Sequence, residues 1–306
     1  MTLISDQAID RRRLKRRLSV WRALAVIALA ALAAAAIGRA SGVSPGGRIV
    51  RVTIKDVIVH DLERDEAIVA LAKKRGVKAV IVHLDTPGGT VVGGERLYLA
   101  LRKLAEKKPV VAVMDTTAAS AGYMVALGAD RLIANSGSVT GSIGVLLQTT
   151  DITKLLETIG VNAEAIKSGT LKGVPSPLEK LDAEGRRATK EVVDDIYAMF
   201  VDLVAERRKL PRAQALTLAD GRIYTGRQAL AKGLVDELGG EPEALAWLKK
   251  ERGVDDKLPV KDVELEHPPG VLASIARFFG ARLLGGKMLL SERLTLDGLV
   301  SVWHPE

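Results

Sequence analysis

The 306-residue chain has no cysteine and only four histidines. The first absence excludes disulfides, thiolate zinc sites and cysteine nucleophiles, and it leaves the redox compartment unread. The second matters through position. No histidine stands between His83 and His267, so a hydroxyl nucleophile in that stretch has no imidazole near it in sequence to take its proton. The chain also lacks a P-loop, a dinucleotide fingerprint and a metal-ligand cluster, so neither a cofactor nor a metal is expected. There is no internal repeat, which implies one functional unit per chain.

What is present fits a globular protein with a large core, since 47% of the residues are hydrophobic. The net charge of +8 would suggest nucleic acid if it covered a folded face. Residues 1–22, however, hold seven basic residues (Arg11, Arg12, Arg13, Lys15, Arg16, Arg17 and Arg22) against Asp6 and Asp10. That is a net of +5, which leaves +3 for the rest. No nucleic-acid partner is expected.

Ala23 to Ile37 is an apolar run with no charge until Arg39. Arginines ahead of such a run follow the positive-inside pattern. The expected organisation is a basic cytoplasmic tail over 1–17, a transmembrane helix or signal anchor over 18–38, a linker over 39–48, a main domain over 49–250 and an extension over 251–306. The domain would then lie on the extracytoplasmic side of the cytoplasmic membrane. A span needs about 20 apolar residues, reached here only if Leu18 to Trp21 count and Arg22 snorkels. A cleaved signal peptide ending in small residues such as Gly38, Ala40 and Ser41 is an alternative, and an apolar interface helix is another. In the extension, Val271 to Leu290 is amphipathic and suits a partner subunit, a membrane surface or a disordered tail.

From residue 49 the pattern alternates. Ile49 to Ile58, Val77 to Leu84, Pro109 to Met114 and Asp130 to Ala134 read as strands. Asp65 to Lys74, Glu95 to Lys107, Ser120 to Leu127 and Asp182 to Arg208 read as helices. The rhythm predicts an α/β domain with a parallel sheet flanked by helices.

Ser120 stands where a strand gives way to a helix, which would present its hydroxyl at the carboxyl edge of the sheet. The bland reading is a helix N-cap. Gly88 and Gly89 follow a buried strand and offer unobstructed backbone N–H groups. Such groups stabilise an oxyanion or simply make a turn. Lys167 and Lys172 lie downstream; a lysine acts as a base only when neutral, a state that burial or neighbouring positive charge promotes. Ser142 either supports that chemistry or satisfies a turn. His83, inside an apolar strand, reads as structural, and Asp85 and Asp130 read as scaffold caps.

Seven segments occur in a telling order: DTPGG (85–89), AASAGY (118–123), GADRLIA (128–134), TGSIGV (140–145), KSGTLKG (167–173), ADGRIYTGRQA (219–229) and GLVDELGG (233–240). Together they resemble the signal peptide peptidase A family, membrane serine proteases with a Ser-Lys dyad, over about residues 48 to 250. The resemblance implies a fold similar to Clp protease and crotonase, with Ser120 as nucleophile and Lys172 as base. It also implies an oxyanion hole from Gly88 or Gly89 with the amide of Ala121, and Ser142 as the hydroxyl that orients Lys172. It further implies peptide substrates, including signal-peptide remnants and other apolar segments. Ring-like homo-oligomers that assemble each dyad from adjacent protomers are implied as well. A crotonase-like acyl-CoA enzyme and a non-catalytic membrane scaffold are the other classes the sequence leaves open.

Overall fold

A computed structural model describes residues 17–32, 47–263 and 300–302. The chain divides into two units, 1–48 and 49–306. In the first, residues 17–32 form an exposed helix, α1. Its 16 described residues rise about 24 Å. No helix among the described residues is long and apolar enough to cross a membrane. Of the transmembrane helix expected over 18–38, residues 18–32 are helical and include Arg22, and residues 33–38 lie outside the described residues.

The second unit is a mixed α/β domain around one eight-stranded sheet. Its strands are β1 (Arg48–Lys55), β2 (Val77–Thr86), β4 (Val110–Ala119), β5 (Arg131–Ala134), β6 (Val139–Gly141), β7 (Ile223–Thr225), β8 (Glu237–Leu238) and β9 (Val260–Val263). They run in the order β7-β6-β4-β2-β1-β9, with β5 beside β4 and β8 beside β5. The pairs β1–β9, β2–β4, β4–β5, β4–β6 and β5–β8 are parallel, and β6–β7 is antiparallel. A short strand, β3 (Gly88–Thr90), stands apart from this sheet.

Side chains of a strand alternate between faces, and β2 is buried on both. Val80, Val82 and Leu84 pack with Leu97, Leu101 and Leu104 of α3 (Val91–Ala105), Met124 of α4 (Ala121–Ala126) and Phe200 of α6 (Ala183–Arg208). Ala79 and Ile81 pack against Ala244 and Leu248 of α9 (Glu241–Arg252), which follows the short helices α7 (Arg212–Leu218) and α8 (Gly226–Ala231). A strand buried on both faces reads as an unbroken apolar run, which is why β2 was visible from sequence. Its last residues on the α9 side, His83 and Asp85, are polar and half-buried.

The strand expected to reach Ile58 ends at Lys55, because Asp56 turns the chain with φ 59°. The helix expected from Asp65 begins earlier, as α2 (Leu62–Leu71), because the Asp61 side chain caps it at the Arg64 N–H. Beyond residue 250, β9 pairs with β1, so the sheet extends to residue 263; Val271 to Leu290 lies outside the described residues. Between β6 and α6 runs a long arm. Its helix α5 (Thr153–Thr158) buries no residue, and Leu155, Ile159, Val161, Ile166 and Leu171 are exposed.

Candidate active site

The carboxyl ends of β2 and β4 bring the site together. Leu84 stands opposite Met114 and Thr86 opposite Ala118, so extra β4 residues bulge out between them. Asp85 Oδ1 accepts the Thr117 N–H at 3.1 Å and holds the bulge. Beyond it β4 runs on to Ala119 and pairs with β6.

Ser120 follows directly, with φ 57° and ψ −120°, a conformation that costs a side-chain-bearing residue of order 1–3 kcal/mol. Its backbone is pinned from both sides. The Ser120 N–H donates to Gly141 O at 2.8 Å, and Ser120 O accepts the Met124 N–H at 3.0 Å. The residue is buried, and its side chain makes no cap hydrogen bond to α4. The N-cap explanation of Ser120 therefore fails. A sharp, strained strand-to-helix turn instead carries its hydroxyl at the head of α4.

Gly88–Thr90 lies against this turn. Ile58 N–H donates to Gly88 O, and Thr90 N–H donates to Ile58 O, both at 2.8 Å. Trans peptides then aim the Gly89 N–H and C=O at the opposite edge of β3. The Gly88 N–H is committed differently, donating to Thr86 Oγ1 at 3.1 Å. The two glycines thus differ, and Gly89 presents its N–H to the open edge. A Cβ at Gly89 would sit 1.9 Å from Ile58 O, so only glycine fits. Close approach also fixes the neighbours: a Cβ on Gly122 would meet Thr86 Cγ2 at 2.7 Å, and one on Gly94 would meet Ala121 Cβ at 3.0 Å. The residues after Ser120 are therefore packed onto the end of β2, just ahead of the glycine pair, and onto α3 just after it.

That open edge accepts an extended chain. Residues Val300–Val302, β10, pair with it antiparallel, Val302 opposite Gly88, Ser301 opposite Gly89 and Val300 opposite Thr90.

Ser142 lies one residue beyond Gly141, whose carbonyl holds Ser120. Its backbone is left-handed, with φ 49°, and its N–H donates to Arg222 O at 2.8 Å. Ser120, Ser142, Ala121, Gly88 and Gly89 are thus gathered at one end of the sheet. Lys172 is not joined to them. It sits exposed in a turn of the arm, where its N–H donates to Gly169 O at 3.1 Å. Among the described residues its ammonium has no carboxylate partner. Lys167 differs, because Glu179 pairs with it.

His83 takes no part at Ser120. Its Nδ1 lies 3.0 Å from Asp115 Oδ1 and its Nε2 lies 3.1 Å from Glu241 Oε2. With both nitrogens engaged by carboxylates it has no lone pair left for a serine proton. The hydrogen bond to Asp115 is the main cause that raises its pKa above the usual histidine value. Asp130 accepts the Val110 N–H at 3.1 Å. Both histidine and aspartate serve the scaffold.

Sequence reasoning missed Thr86, Asp56 and Ile58. One signal was available for Thr86, a polar residue closing a buried strand ahead of Pro87. For Asp56 and Ile58 there was none, since a left-handed aspartate and a backbone bridge carry no sequence mark.

A sequence model of peptidase family S49 matches residues 102–255. A Synechocystis sp. protein, named as a protease by inference, is 42% identical over 191 residues, 62% of this chain and 69% of that protein. The chloroplastic serine protease SPPA of Arabidopsis thaliana is 32% identical over 239 residues, 76% of this chain but 35% of its own length. Among solved structures, a mutant of a membrane-bound stomatin-specific protease matches with TM-score 0.47 at 16% identity, over 71% of this chain and 98% of that one.

Proposed function

The chain belongs to peptidase family S49 and is a serine peptidase, and from that premise we propose that it is a membrane-bound endopeptidase of the Clp-like fold working by a Ser120–Lys172 dyad. Ser120 attacks the scissile carbonyl while neutral Lys172 takes its proton. The amine leaves with that proton, and water then releases the acyl group from Ser120 by the same route in reverse. The N–H groups of Gly89 and Ala121 receive the oxyanion, which is worth about 3–4 kcal/mol for one donor.

The observation that carries this reading is the strained Ser120 turn packed onto the two segments that flank the glycine pair, the end of β2 and the start of α3. Peptides suit the site because β3 already accepts an extended segment along the edge to which Gly89 points. Lys172 rather than Lys167 is taken as the base because Glu179 holds the Lys167 ammonium in its charged form, whereas no carboxylate among the described residues does so for Lys172. Lys172 lies on an arm with uncovered apolar residues, and a neighbouring copy in a ring-like homo-oligomer would cover them while receiving Lys172 beside its own Ser120. Ser142 then aims the lysine. Residues 18–38 anchor the chain to the cytoplasmic membrane, with the domain outside the cytoplasm. Signal-peptide remnants and other apolar segments are its substrates.

The test is hydrolysis of a fluorogenic apolar peptide by the full chain in detergent. Ser120→Ala and Lys172→Ala abolish turnover, Lys167→Ala does not, and the rate rises towards alkaline pH. Mixing the two inactive variants restores partial activity if the dyad is shared between copies. Activity that survives Lys172→Ala refutes the dyad. Turnover of an acyl-CoA thioester, with none of the peptide, would favour the crotonase-like alternative.

A further inference from the structure

We propose that Thr86 is a positioning residue that locks the oxyanion-binding strand to the nucleophile's helix. The inference rests on the peptidase reading above and assigns Thr86 a part in it. Thr86 is fully buried, yet it ends in a hydroxyl. Its Oγ1 accepts the Gly88 N–H at 3.1 Å and lies 2.5 Å from Asp56 O and 3.2 Å from Gly88 O. A threonine hydroxyl has one proton. The Asp56 O contact is much the shorter of the two, so the proton goes to Asp56 O.

Each partner matters to the site. Asp56 is a non-glycine residue at φ 59°, a conformation that persists only where its surroundings hold it. Two residues later Ile58 braces the back edge of β3 on both sides of Gly89. Tying down the Gly88 N–H orients the strand from which the Gly89 N–H projects. The Thr86 methyl, meanwhile, is the group a Cβ at Gly122 would strike at 2.7 Å. Gly122 follows Ala121, the second oxyanion donor. One side chain therefore sets the turn behind β3, β3 itself and the first turn of α4. Two donors must converge on one oxygen to within a fraction of an ångström, and Thr86 fixes their spacing.

The hydroxyl and the methyl can be removed separately. Thr86→Val deletes the hydroxyl at nearly constant shape. It is expected to lower kcat by about 30- to 100-fold with KM within about 3-fold, because the oxyanion forms after binding. Affinity for a peptidyl boronic acid, whose tetrahedral adduct places an oxygen in the hole, falls by a similar factor. Thr86→Ser, which keeps the hydroxyl, recovers most of kcat. A purely structural role would lower the melting temperature and the active fraction without splitting kcat from KM.

Gly122→Ala tests the methyl without touching the hydroxyl. It is expected to lower kcat by about 10-fold or more, and Thr86→Ser in the same chain restores it by making room for the new methyl. The inference is overturned if folded Thr86→Val keeps kcat within about 3-fold of wild type, if Val and Ser at position 86 lose equally, or if the double variant is no better than Gly122→Ala. The double variant decides the question even if Thr86→Val does not fold. Ser120→Ala in the same assay separates the two levels. If it is inactive while Thr86→Val is normal, only the Thr86 inference falls. If wild-type hydrolysis is missing or independent of Ser120, both fall.

Discussion

His83 makes the stability of this domain fall as pH rises through its raised folded-state pKa, and the size of the fall follows from its two partners. It stands between Asp115 of β4 and Glu241 at the head of α9. Arg51 of β1 binds Glu241 through Nε at 2.6 Å and Nη2 at 2.7 Å, and Asp262 of β9 through Nη1 at 2.7 Å. Both imidazole nitrogens can donate only in the cationic form. The folded-state pKa of His83 lies above 6.5, first because of the Asp115 hydrogen bond. Its contribution is therefore complete below about pH 6.5 and is lost as pH rises through the folded value. Glu241 has the opposite sign. The Arg51 hydrogen bond is the first cause that lowers its pKa from 4.5, so its contribution is lost as pH falls through that lowered value.

A neutral His83 gives up one of two hydrogen bonds to charged groups, which costs about 1.5–3 kcal/mol. The side chains of His83 and Asp115 are 16% and 36% exposed, and solvent screening trims the figure to about 1–2 kcal/mol. At about 2–4 °C per kcal/mol for a domain of this size, wild type should lose about 2–8 °C of melting temperature between about pH 6 and pH 9, relative to His83→Gln. The assay is calorimetric melting of both proteins across that range. Parallel curves for the two would refute the argument, because His83→Gln cannot titrate and must remove any dependence that His83 supplies.

Other outcomes follow from the site. Gly89→Ala forces a methyl to within 1.9 Å of the Ile58 carbonyl, so β3 must shift. Peptide turnover is expected to drop by about 100-fold or more, and wild-type kinetics from that variant would show that β3 does not serve the reaction. Ending the chain before Val300 removes β10 from the edge a peptide would use. KM for peptides is then expected to fall, and an unchanged KM would mean that β10 and substrate do not compete. Lys172→Ala and Lys167→Ala, assayed side by side, should differ by the whole of the measurable activity.

The sequence alone determined the alternation of strands and helices and the chemistry available. Apolar runs such as Val77 to Leu84 fill both faces of a sheet and are visible without coordinates. The lack of histidine between His83 and His267 leaves lysine as the base for a serine in that stretch, and the glycine pair is legible because nothing else suits a close backbone approach. Contacts between residues distant in the chain needed the tertiary structure. It decided that Gly88 spends its N–H on Thr86 while Gly89 turns its own to the edge where β10 pairs, and that the Ser120 side chain does not cap α4. It decided that His83 is sealed between carboxylates contributed by β4 and α9, 32 and 158 residues away. It also left Lys172 exposed and apart from Ser120. The physical reason is common to all of these: periodicity and composition report which face of an element is buried, whereas the direction of one N–H or the partner of one imidazole is set by segments far away in sequence.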